Sequence, residues 1–293
     1  EFLRQNGTLE HRDEQGERFT LGQEHGFRAK RLRREYDRAE HAANVVPRSY
    51  LVSLVSQYDA YLGRLLRALF LARPELLAAS QRQLSLQELL AFGSIEEAKE
   101  FFLEKEIESV LRDSHADQIL WMERRFNVKL REDLTIWPAF IELAERRNLC
   151  VHTDGVVSRQ YLDVCQRNGV ACHEGLQIGT QLEVTRSYFG SALEAILEIG
   201  VKLSQVLWRK VRPDQIGAAD DLLIEITYDL LEDGKNRLAQ RILEFGCSAL
   251  TRHASEEHRR ICVVNLAQAY KWAGQPEACS KALTKMAWSA TAS

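Results

Sequence analysis

Between Tyr50 and Leu71 the residues Leu51, Leu54, Val55, Tyr58, Leu62, Leu65, Leu66 and Leu69 recur every three or four positions. At 3.6 residues per turn they form one apolar stripe on a helix, and such a stripe has to be buried against another element. The same period returns from Ser94 to Arg112, from Asp117 to Phe126, and in the long run Leu182 to Val211. It also sets the spacing of Trp137, Phe140, Ile141, Ala144 and Val151. Stripes of this kind in succession predict an all-α fold, with four or five antiparallel helices closing one bundle.

Local signals divide the chain. Roughly the first 23 residues are polar and punctuated by glycine, with no convincing period, and are expected to be loosely ordered. A charged helix follows from about Gln23 to Ala43, Pro47 is expected to break it, and the bundle begins at Tyr50. Arg73-Pro74 ends the first amphipathic helix, and Leu76-Leu77, Leu84-Leu86 and Leu89-Leu90 suggest short helices. Gly93-Ser94 opens the next one, with Glu96-Glu97 in its first turn, where carboxylates meet free backbone N–H groups. Ser158 to Asn168 reads as a short helix ended by Gly169, and Ala171 to Thr180 as a loop. Arg212-Pro213 ends the long run. The expected division is an N-terminal arm and helix over 1–47, a helical bundle over 48–212, and helical hairpins over 213–293.

Those last residues are Ala-rich. Asn265-Leu266-Ala267-Gln268-Ala269-Tyr270, with Gly274 and Glu277-Ala278, resembles the tetratricopeptide helix-turn-helix pattern, and Gly234 with Ala239 echoes it. The resemblance implies hairpins that pack on the bundle or offer a surface to a protein partner or inhibitor. A plain helical extension stays open.

A formal charge of −3 argues against a broadly basic surface, so contact with any nucleic acid would be local. The cluster Arg28, Lys30, Arg31, Arg33 and Arg34 is surrounded by Glu24, Glu35, Asp37 and Glu40, and reads as a solvated helix face. Six cysteines, at 150, 165, 172, 247, 262 and 279, form no C-x2-C pair, and Cys165, Cys172 and His173 lack zinc spacing. No run approaches eighteen apolar residues and no secretory leader is visible, so the expectation is no membrane span and a cytoplasmic protein with reduced thiols. P-loop, H-E-x-x-H, G-x-S-x-G and G-x-G-x-x-G signatures are missing. Asp220-Asp221 is expected at a helix start, interacting with the dipole.

The chemistry concentrates in Arg147-Asn148-Leu149-Cys150-Val151-His152, late in an amphipathic helix with Pro138 in its first turn and Asp154-Gly155 as its stop. Asn148 lies on the packing side and needs a hydrogen-bond partner. Five helical steps of ~100° point Arg147 and His152 roughly 140° apart, which makes one protomer half a site. A two-fold dimer facing two such helices would gather two Arg and two His around one cleft. Histidine titrates near neutrality and can move protons at a ribose 2′-hydroxyl and a leaving oxygen. Arginine offers a charged fork to the phosphate. This scheme requires no metal and no cofactor.

The stretch Glu145 to Gly155, with Tyr161 and Leu162 beyond it, resembles the HEPN family, whose ribonuclease members carry an Arg, four to six intervening residues and then a His. The resemblance implies a helical bundle, a homodimeric active site and metal-independent cleavage of an RNA substrate that leaves a cyclic phosphate. Arg147 and His152 would be catalytic, and Asn148 the polar residue that orients the cleft. Toxin-like or antiviral defence roles are implied as well. The competing readings are a non-catalytic HEPN-like module binding nucleotide or protein, and a helical scaffold. Arg146 stands open as an alternative to Arg147.

Overall fold

The computed structural model describes residues 1–13, 16–79, 83–132, 134–171, 175–284 and 286. The leucine stripe lies on the second half of α2, which follows a short helix α1 (Phe2–Asn6) and runs unbroken from Gly26 to Ala72. Pro47 therefore sits inside a helix and does not end it. Proline removes one N–H and crowds the carbonyl four residues back, here that of Ala43. Ala43 is exposed, so water can take up the carbonyl left unpaired, while Leu51, Val55, Tyr58 and Leu62 hold the helix beyond it in the core.

The N-terminal arm also has regular structure. Strands β1 (Gly7–Asp13) and β2 (Gly16–Leu21) pair antiparallel, and Asp13 Oδ1 accepts the Gly16 N–H at 3.0 Å beside the turn. Neither face of the hairpin is buried, which is why no apolar alternation announces it. Arg28 over the Phe2 ring and the edge of Phe2 against His25 tie this head to the start of α2.

The bundle is made by the second half of α2 with α4 (Ile95–Arg112), α5 (His115–Phe126), α6 (Trp137–His152) and α8 (Arg186–Val211). The short α3 (Leu86–Leu90) and α7 (Arg159–Arg167) fill the connections. Hydroxyls of Ser94, Ser114, Ser158 and Thr185 each accept an N–H three residues on, so four starts are fixed locally. Successive long helices alternate in direction. As first and fifth, α2 and α8 consequently run parallel: Tyr50 meets Phe189 and, eleven residues on, the Tyr61 hydroxyl donates to the Gly200 carbonyl at 2.9 Å. Leu62, Leu66, Phe70, Ile119, Met122, Phe126, Phe140, Ile141, Ile199 and Leu207 form the centre of the core. Each such side chain contributes about 1.5–3 kcal/mol on burial, which fixes how the helices face one another.

Beyond Pro213 two hairpins repeat one geometry: α9 (Ile216–Glu232) with α10 (Asn236–Ser248), then α11 (Glu256–Trp272) with α12 (Pro276–Thr284). Gly234 and Gly274 occupy the left-handed region at φ +70° and +76°. The following N–H, of Lys235 or Gln275, returns to Leu230 or Tyr270 at 2.8 Å in both turns. Their core joins Leu223, Leu238, Ile242, Leu243, Cys262 and Leu266, and α8 adds Val201 to it. Beneath that contact the fully buried Glu198 receives Lys202 Nζ at 2.5 Å and Arg241 Nε at 2.6 Å. Asp220 sits inside α9 and is also fully buried, held by Arg209 at 2.5 Å, His253 Nδ1 at 2.8 Å and the Ala254 N–H at 2.7 Å; its partners are side chains and a loop, not a helix dipole. No helix among the described residues is long and apolar enough to cross a membrane.

Candidate functional site

Helix α6 begins with Pro138 in its first turn and turns Phe140, Ile141, Leu143, Ala144 and Leu149 into the bundle. Val151, expected on the same stripe, is 49% exposed because the bundle has already ended. The helix stops where the Thr153 and Gly155 N–H groups both return to the Leu149 carbonyl at 2.9 Å. Gly155 has φ +81°, and a Cβ there would come within 3.1 Å of the Leu182 carbonyl, so the residue is fixed by backbone shape and by space. Asp154 pairs with Arg48 of α2.

Arg146 and Arg147 leave this helix in different directions. Arg146 donates from Nε to Glu142 at 2.7 Å and from Nη1 to the Glu183 carbonyl at 3.1 Å, and lies 3.8 Å above the Tyr188 ring. Glu142 accepts in addition the hydroxyls of Tyr161 and Tyr188, both at 2.7 Å. Burial, and after it the Glu142 charge, holds both phenols well above their ordinary range, so they stay donors. The network ties α6 to α7 and α8 and leaves Arg146 committed to structure.

Arg147 faces α2 and α5. Its Nη2 stands 3.4 Å from Asp59 Oδ2, while Asp59 Oδ1 meets His115 Nε2 at 3.0 Å. His115 is buried between the rings of Tyr58 and Phe140, with centroids 5.9 and 5.6 Å away. Arg147 Nε is buried and has no hydrogen-bond partner among the described residues. Asn148, half-buried, finds the partner its position demands: its amide donates to Glu145 Oε1 at 3.3 Å. Burial raises the Glu145 carboxyl above its usual range, against the opposing pull of His115, Asn148, Arg147 and Arg167. The end of α6 thus gathers Arg147, Asn148, Glu145, Asp59 and His115 into one polar cluster.

His152 belongs to another surface. It is exposed in the last turn of α6 and makes no hydrogen bond or ion pair among the described residues. Asp59 and His115 escape a sequence reading, since each stands alone in its own helix and only bundle packing brings them to Arg147. Cys150 is half-buried beside the motif, and burial pushes its thiol up, away from nucleophilic use. Among the described residues no three His, Cys, Asp or Glu are placed to hold a metal ion, and Cys172, His173 and Glu174 lie outside the described residues.

The arrangement offers two kinds of chemistry at one helix end. Arg147 keeps guanidinium donors beyond its single contact with Asp59, suited to an anionic oxygen. His152 offers an imidazole to solvent or to whatever docks there. No family model, curated protein or solved structure matches the chain.

Proposed function

We propose that the chain is a metal-independent endoribonuclease of the HEPN type, working as a homodimer on an RNA substrate. The observation that supports this reading best is the divergence of Arg147 and His152. One is half-buried against Asp59 and keeps spare donors; the other, at the same helix end, is exposed and without a partner among the described residues. Two such ends facing each other would supply phosphate binding from one face and proton transfer from the other. A His152 imidazole takes the proton from the ribose 2′-hydroxyl, whose oxygen attacks the adjacent phosphorus. Arg147 stabilises the charge that builds on the phosphoryl oxygens. The second His152, in its protonated form, gives a proton to the departing 5′-oxygen. The products are a 2′,3′-cyclic phosphate and a 5′-hydroxyl. Asn148, through Glu145, orients this edge of the cleft.

Within this reading the C-terminal hairpins are the surface for a protein partner or inhibitor, the setting is cytoplasmic, and a toxin or antiviral effector is the role the resemblance suggests. A non-catalytic module that binds nucleotide or protein is the second reading, favoured by the hold of Asp59 on Arg147. RNA cleavage in EDTA by wild-type, Arg147→Ala and His152→Ala protein decides between them. Cyclic phosphate ends, formed by wild type and lost in both variants, are expected; cleavage indifferent to His152, or none across varied RNAs, leaves the binding module.

A further inference from the structure

The first half of α2 stands clear of the molecule. Every residue from Lys30 to Val46 is exposed, over a length of about 25 Å at 1.5 Å per residue. Helices in water owe most of their stability to packing, and this segment has none. Along one face of it, starting at Ala29, apolar residues nevertheless alternate at three and four: Ala29, Leu32, Tyr36, Ala39, Ala43 and Val46, with Ala42 and Val45 beside the stripe. That is a heptad seam on the unbroken stretch of α2 that precedes Pro47.

We infer that this seam pairs with the same seam of a second copy, as an antiparallel two-stranded coiled coil. Two observations choose that occupant and that direction. In an antiparallel register centred between residues 37 and 38, Tyr36 lies against the second copy's Ala39, Leu32 against its Ala43, and Val46 against its Ala29. Each layer matches a large side chain with a small one and fills evenly. A parallel pair would stack Tyr36 on Tyr36 and leave Ala39 facing Ala39. The flanking charges agree. Antiparallel pairing sets Arg33 beside the second copy's Glu40, and Glu40 beside its Arg33. Parallel pairing sets Arg28 against Arg33 and Glu35 against Glu40, like charges at both positions. Among the described residues Glu40 makes no ion pair, and the Arg33 contact with Asp37, 2.9 Å, is an exposed one that can be exchanged.

The inference does not rest on the ribonuclease reading. In this register Arg48, which marks the α6 end through Asp154, lies opposite residue 27 of the second copy. The two α6 ends are then on the order of 30 Å apart along the seam, so this contact is separate from one that would face two His152 residues.

Sedimentation velocity on the full chain over a range of micromolar concentrations tests the pairing. An association step is expected that Leu32→Glu abolishes. Arg33→Glu alone should weaken it by about tenfold, and the double exchange R33E/E40R should restore it. The arm carries no bundle contact, so near-ultraviolet circular dichroism of every variant should match wild type. A step indifferent to Leu32→Glu overturns the inference, and one tightened by Arg33→Glu overturns the antiparallel direction. Variants that leave the mass unchanged but weaken binding of a single-stranded RNA overturn it in favour of a nucleic-acid surface. Cleavage by His152→Ala protein reports on the other proposal alone.

Discussion

Asp59 Oδ2 lies 3.4 Å from Arg147 Nη2, joining the second half of α2 to the C-terminal end of α6. The neighbouring Arg146 has a wholly different setting, and the contrast can be measured. Arg146→Ala removes the cation from the half-buried Glu142 and should cost about 3 kcal/mol. Arg147→Ala breaks one long, partly exposed contact and should cost less than about 1 kcal/mol. Urea denaturation of the two variants checks the order, which reverses if Arg146 is the free arginine.

Glu145 gives a second test. Burial raises its carboxyl above the unfolded value of 4.5, so the ionised form is disfavoured in the fold. The penalty is absent below pH 4.5, grows as the pH rises through the folded value, and is complete above it. Glu145→Gln keeps the acceptor for Asn148 and removes the charge. It should stabilise the protein by about 0.5 kcal/mol at pH 7 and lose that advantage in acid, read from melting temperatures between pH 3 and 8.

Asp220 should show the opposite dependence. Burial opposes its charge, yet the Ala254 N–H, Arg209 and His253 outweigh burial and hold the carboxyl below its unfolded value of 3.8. The stability it contributes is complete above 3.8 and is lost as the pH falls through the lower folded value. Asp220→Asn should cost about 3 kcal/mol at pH 7, with the difference from wild type shrinking below pH 3.8. Thermal unfolding across that range checks it.

What the sequence discloses follows from how local each cause is. The starts of α4 and α7 are legible because Ser94 and Ser158 cap their own helices, and the leucine stripe of α2 states its burial through spacing alone. Pro47 misleads because proline ends helices on average, while here the burial of Leu51, Val55 and Tyr58 outweighs one lost hydrogen bond. The hairpin from Gly7 to Leu21 is silent because exposed strands need no apolar alternation. At the candidate site, the helix, its stop and the divergence of Arg147 from His152 are all local and readable. The partnership of Arg147 with Asp59 and His115 depends on how three helices pack, and no spacing within one of them encodes it.

Helix α8 carries a consequence for how the molecule comes apart. Ile199, Leu203 and Leu207 belong to the bundle, while Val201 and the Glu198 ion pairs belong to the contact with α10. Both cores draw on the same 26-residue rod, so neither can melt without stripping a face from the other. Heat should therefore take bundle and hairpins through one cooperative transition, and a strain applied at the hairpins would reach the bundle through a shared backbone and not across a linker.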